Sequence, residues 1–193
     1  MSKKNNFISC KWWQKATLED VYKEIASGSD VNARDEFGTS VLINAVFCKT
    51  DTLKIVQTLI AAGADVNAAD DVGNTVLLST KDSEIIKTLI DAGAEVNVKN
   101  QDGTTPLHRI LSDNENPETA KILIAAGADI NAGDKNGKTT LMEVAAFNRN
   151  PEIAKLLIEA GADITAKDNK GKTALNYAIK ENNTPMFSLL VCH

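Results

Sequence analysis

Asn100-Gln101-Asp102-Gly103-Thr104-Thr105-Pro106-Leu107-His108 opens, and Ala126-Gly127-Ala128-Asp129-Ile130-Asn131 closes, a segment that the rest of the chain copies. The closing Ala-Gly-Ala with an acid after it recurs at Ala62 to Asp65, Ala92 to Glu95 and Ala160 to Asp163. The opening glycine recurs as Gly38, Gly73, Gly103, Gly137 and Gly171, at spacings of 35, 30, 34 and 34. A period of this length marks stacked supersecondary units, none of which buries its apolar face alone.

Each copy repeats one local logic. Two residues past the opening glycine stands a hydroxyl (Ser40, Thr75, Thr105, Thr139, Thr173), whose oxygen is placed to cap a short first helix. A second helix follows, with apolar residues at helical spacing such as Leu53, Val56 and Ile60, or Ile153, Leu156 and Leu157. Gly63, Gly93, Gly127 and Gly161 end it, since glycine enters the left-handed conformation at little steric cost. Asp, Asn and Gly around Asp70 to Gly73 and Asp134 to Gly137 then supply a turn.

The Asp-x-x-Gly-x-Thr-Pro-Leu-His opening and the Gly-Ala-Asp-Val-Asn-Ala ending, recurring in phase from about Thr17 onward, resemble the ankyrin repeat. Only the third copy has the whole tetrapeptide Thr105-Pro106-Leu107-His108. The others keep the hydroxyl and the leucine and lose the proline and histidine. The resemblance implies an all-α ankyrin-repeat solenoid of stacked helix-turn-helix units joined by β-hairpin-like turns. It also implies that His108 bonds neighbouring backbone.

In chain order, residues 1–33 are expected to be N-terminal capping helices, spanning Phe7 to Lys15 and Thr17 to Ser27. Trp12 and Trp13 lie about 100° apart on a helix, so one should cover the first repeat while the other stays half exposed. Repeat 1 covers 34–68, with a long link at Lys49 to Thr52. Repeat 2, 69–98, is some four residues short between Leu78 and Glu84, as the spacing of 30 against 34 requires, which truncates its first helix. Repeats 3 and 4 cover 99–132 and 133–166, with an extra residue in Asp113 to Pro117 and Asn148 to Pro151. Residues 167–193 read as a C-terminal capping repeat.

A chain that is 43% hydrophobic and 24% charged is neither disordered nor membrane-like. A net charge of -5 argues against general nucleic-acid binding, which needs a clustered basic surface. Cys10, Cys48 and Cys192 are odd in number and far apart, so reduced thiols in the cytoplasm are expected rather than a disulfide framework. Phe7 to Cys10 faintly resembles a lipoprotein cleavage site, but no apolar run precedes it, so no signal peptide is expected. Export to another cell stays open. The N-terminal pattern is similar to short bacterial ankyrin proteins.

Ala132 to Thr139 and Ala166 to Thr173 both fit a loose phosphate-loop pattern ending Gly-Lys-Thr. Both fall at the turn between copies, and the repeat explains them without a nucleotide. Cys192-His193 has no orienting partner, and no Cys or His cluster has metal spacing. No enzyme, cofactor or metal site is expected.

What remains is a surface. Proteins of the resembled family bind partners through a concave face of turn tips and exposed sides of first helices. Carried onto this chain, the resemblance selects Arg34, Glu36, Phe37, Phe47, Asp71, Val72, Gln101, Asp102, Lys135, Lys138, Lys170 and Lys172. The tips pass from acidic with apolar insertions to basic. For the lysines, simple solvation and the steering of an acidic partner segment are both open; for Phe37 and Val72, so are local packing and partner contact. Phe147 belongs either to this face or to the core. The expected function is noncatalytic recognition of another protein by a monomer. The alternatives are self-assembly through Trp12, Trp13 or an imperfect C-terminal cap, and phosphate or nucleotide binding by the lysine-rich turns.

Overall fold

The computed structural model describes residues 5–48, 50–112 and 116–192. Lys49, Asp113 and His193, named above, lie outside the described residues. The chain divides into two compact units, Met1–Thr80 with Glu84–Glu95, and Lys81–Ser83 with Val96–His193. Among the described residues it is all-α. Two isolated antiparallel bridges, Arg34 with Ser40 and Gly133 with Thr139, close two of the turns like short hairpins.

The first unit holds α1 (Cys10–Trp13), α2 (Leu18–Ala26), α3 (Val41–Ala45), α4 (Thr52–Ala61), α5 (Val76–Ser79) and nearly all of α6 (Ser83–Asp91). The continuous helix expected from Phe7 to Lys15 is instead a 3₁₀ turn at Asn6–Ile8 followed by α1, because Ser9 between them is extended at φ -107° and ψ 108°. Asn5 caps the first piece by accepting from the Phe7 amide, 3.0 Å. Phe7 and Trp13 are buried and stack with ring centroids 5.6 Å apart, while Trp12 is half-buried. The indole of Trp13 donates to the Phe7 carbonyl at 2.8 Å, so its polar edge is satisfied where its bulk is hidden. A reciprocal box between Thr17 and Asp20 starts α2, which packs on α4. Val41, Leu42, Ile55, Leu59, Leu77, Ile86 and Leu89 are the core of this unit. The short α5 has four residues, in keeping with the missing residues before Glu84.

The second unit holds α7 (Pro106–Leu111), α8 (Pro117–Ala125), α9 (Thr140–Phe147), α10 (Pro151–Glu159), α11 (Ala174–Lys180) and α12 (Thr184–Val191). Pro117 and Pro151 begin their helices, where the missing N–H costs nothing, and the side chains of Asn116 and Asn150 accept from Glu118 and Glu152 amides, both at 3.0 Å. Helices stack pairwise, α7 on α9 on α11 and α8 on α10 on α12. Leu107, Ile110, Leu111, Leu123, Leu141, Ile153 and Leu157 fill the layers between them. Each such leucine or isoleucine contributes about 1.5–3 kcal/mol by leaving water.

The hydroxyl caps are only partly as expected. Ser40, Thr105 and Thr173 accept from the amide three residues on, but Thr75 and Thr139 do not, and their Oγ1 atoms are buried with no hydrogen-bond partner. The residue three on is Leu78 or Met142 in those two copies, whereas Thr105 meets His108 and Thr173 meets Asn176. Ser40 keeps its cap beside the aliphatic Ile43, so the side chain three residues on does not by itself decide whether the hydroxyl is bonded.

Candidate partner-binding surface

Each turn is wound around one Asp or Asn. Its Oδ1 accepts from the amides two and four residues on, so Asp35 holds Phe37 and Thr39 at 2.9 Å each, and Asp70 holds Val72 at 3.0 Å and Asn74 at 2.8 Å. Asn100, Asp134 and Asp168 do the same in the second unit. The turns are therefore ordered before any partner arrives, which removes an entropy cost from binding. The same bonds account for the phosphate-loop match. The Asn136 and Lys138 amides donate to Asp134 Oδ1 and the Gly137 amide to its carbonyl, so the donors a phosphate would need already hold a carboxylate.

Successive tips are tied together. In the first unit the Asp71 amide donates to the Phe37 carbonyl at 3.2 Å, and Arg34 bridges from Gly38 O, 3.4 Å, to Ala69 O. In the second, the Lys135 amide donates to Asp102 O at 2.9 Å and Asn169 to Asn136 O at 2.8 Å. Gly103, at φ +75°, shows how tight this is, since a Cβ there would stand 2.9 Å from the Lys135 nitrogen.

On the first unit's tips Phe37 is 66% exposed and Val72 49%. Phe47, in the turn after α3, is also 66% exposed. Arg34, Glu36 and Asp71 are exposed around them. Local packing thus covers little of Phe37, and its ring stands on the surface.

On the second unit Gln101, Asp102, Lys135 and Lys170 are exposed, but Lys138 is not a free cation. Its side chain is 17% exposed, its ammonium pairs with Glu143, and it lies 4.7 Å from the Tyr177 ring centre and 5.6 Å from that of Phe147. Lys172 Nζ lies 6.0 Å from the centre of the same tyrosine ring. The Tyr177 hydroxyl donates to Asp168 at 2.6 Å. Burial, then that hydrogen bond, push the phenol up to about 12, and the same bond holds the Asp168 carboxyl below its ordinary value. The group is a fixed platform of cation and ring faces, with Phe147 56% exposed at its edge and so outside the core.

Glu143 and Tyr177 are not among the residues the sequence singles out, while Phe147, expected either on this face or in the core, is 56% exposed. The signal was available in the repeat phase. Four residues past the capping hydroxyl stand Asn44, Ser79, Arg109, Glu143 and Tyr177, one per copy. His108 takes the place expected of it, with Nδ1 2.8 Å from Thr105 Oγ1 and Nε2 3.0 Å from the Lys138 carbonyl. A carbonyl only accepts, so Nε2 carries the proton and Nδ1 accepts from the threonine.

Stacked helix-turn-helix copies joined by ordered tips define a repeat protein of the interaction type. A protein-family model described as "Ankyrin repeats (3 copies)" matches residues 78–168 and again 110–193, and the chain belongs to the ankyrin-repeat family. No curated protein matches it. Ankyrin repeats generally mediate protein–protein interaction. No helix among the described residues is long and apolar enough to cross a membrane, and none of their His, Cys, Asp and Glu residues form a metal-holding group.

Proposed function

We propose that the protein recognises another protein without catalysis, through its turn tips and the exposed sides of its first helices. Phe37, Val72 and Phe47 act as apolar anchors on the first unit, framed by Arg34, Glu36 and Asp71. On the second, Lys135, Lys170 and Lys172 steer an acidic segment, with Gln101 and Asp102 beside them, while Lys138 presents the Tyr177 and Phe147 faces rather than a free charge. The observation that carries this reading is Phe37, an aromatic ring 66% exposed on a turn whose backbone is fully tied down. Such a ring is costly to leave in water and is the kind of residue that anchors interfaces. Three cysteines outside any disulfide, two of them exposed, favour a reducing compartment such as a cytoplasm, and the setting we propose is bacterial.

Affinity capture from lysate, with wild type and the Phe37→Ala, Val72→Ala double variant as parallel baits and mass spectrometry as readout, tests it. A protein held by wild type and lost by the variant, with equal urea midpoints for both baits, is the expected outcome. Identical captures from both baits would remove the tips as the binding surface. A fall in the variant's midpoint would return Phe37 and Val72 to local packing.

A further inference from the structure

Two tips of the first unit set exposed apolar side chains among carboxylates. Residues 34–39 and 69–74 carry four acids, Asp35, Glu36, Asp70 and Asp71, against the single base Arg34. The same positions in the second unit, 99–104, 133–138 and 167–172, carry six lysines against three aspartates. The tips are therefore of opposite sign in the two units. Around Phe37 the acids stand close. Glu36 precedes it and is exposed, and among the described residues no cation pairs with it. Gly38 follows it, and a Cβ there would collide with Asp71 Oδ1, so the carboxylate of the second tip lies against the first tip one residue from Phe37. The one base is committed to backbone, since the Arg34 guanidinium donates to the Gly38 and Ala69 carbonyls and braces the two tips.

We propose, resting on the partner reading above, that this patch binds a basic segment of the partner, one that sets an arginine or lysine beside an apolar side chain. The apolar side chain covers Phe37 and Val72, which are 66% and 49% exposed, and takes their surface out of water. The cation meets Glu36 and Asp71 and lies within reach of the Phe37 ring, whose face attracts a guanidinium or ammonium. Charge complementarity selects this occupant over the other classes. An acidic segment, a nucleic acid or an anionic lipid surface would bring like charge to these carboxylates, which costs affinity. A wholly apolar segment would take water from Glu36 and return no partner for it. A basic segment with one apolar side chain supplies both the contact and the counter-charge.

A random peptide library displayed on phage, selected in parallel on wild type and on the Phe37→Ala, Val72→Ala double variant, tests this. Peptides enriched on wild type and lost on the variant are expected to carry arginine or lysine next to an apolar residue. The strongest of them, made as a labelled synthetic peptide, is then followed by fluorescence anisotropy. Glu36→Lys should raise its dissociation constant by about 10-fold, while Glu159→Lys, the same charge change at the exposed last residue of α10, should leave it within about twofold. Wild-type affinity should also fall as salt rises from roughly 50 mM to roughly 500 mM. Should Glu36→Lys lose its circular dichroism, Glu36→Gln replaces it, with a smaller rise expected. Peptides that need Phe37 and Val72 but are neutral or acidic, or basic ones indifferent to the Glu36 change, would overturn the proposal and leave the tips as the binding surface. Enrichment of no peptide that needs Phe37 and Val72 would overturn both.

Discussion

Thr105 and Thr139 occupy the same place in successive copies and meet opposite fates. The Thr105 hydroxyl is bonded to His108 Nδ1, while that of Thr139 is buried with no partner. One substitution should therefore have two signs. Thr105→Val strands a ring nitrogen that is itself buried and is expected to cost about 2 kcal/mol. Thr139→Val removes an unpaid desolvation and is expected to be neutral or to stabilise by up to about 1 kcal/mol. Urea unfolding of the two variants reads this directly, and equal losses would show that Thr139 has a partner in solution. The sequence made the hydroxyls legible as caps but not this split, which turns on whether each oxygen meets a hydrogen-bonding group in the folded turn. Lys138 was legible as a tip lysine and not as a half-buried one, since the rings and carboxylate around it come from Glu143, Phe147 and Tyr177 in two different copies.

Between elements, the stack is held by an asparagine device. Asn32 and Asn67 in the first unit, and Asn97 and Asn131 in the second, each donate to the carbonyl of the glycine that ends the next second helix. Each also accepts from the backbone amide of the acid two residues beyond that glycine, at 2.7 to 2.9 Å. One side chain thus satisfies two groups left over where a helix ends. The repeat period, the helix pairs and their glycine stops were readable because each follows from residues close in sequence. This device was not, since an asparagine about 30 residues from its target gives no local sign of it. The broken N-terminal helix escaped for a related reason, because its apolar run continues through Ser9 although the backbone does not. Asn131→Ala should lower stability by about 2 kcal/mol through two lost hydrogen bonds. Thr165→Ala, at the in-phase position whose hydroxyl turns back on Asp163, should stay within about 0.5 kcal/mol. Equal effects in denaturant titration would mean that the asparagines act within their own turns instead of between copies.

Across the whole molecule, stability should fall with acid in two separate windows. With 26 acidic and 21 basic residues the chain carries -5 near neutrality, and most of that charge is solvated. The upper window belongs to His108. Burial, first of all, holds its pKa below the ordinary 6.5, although the Lys138 carbonyl, Asp134 and Glu143 pull the other way and Lys99 adds to the lowering. Its ring already donates from Nε2 and accepts at Nδ1, so a second proton would break the bond from Thr105 and bury a charge. The unfolded chain therefore binds that proton more readily than the folded one. The contribution of His108 is complete above about pH 6.5 and is lost as pH falls below it, with a slope no steeper than about 1.4 kcal/mol per pH unit. The lower window belongs to carboxylates. Asp168 is held down first by Tyr177, and Asp20 and Asp163 first by Thr17 and Thr165, so what they add is present above the usual 3.8 and disappears below it. Thermal unfolding followed from pH 8 to pH 3 should then show wild type losing stability in both windows. His108→Gln, which starts from a lower melting temperature, should be flat in the upper window and keep only the lower loss. A variant that retains the upper slope would move it away from His108.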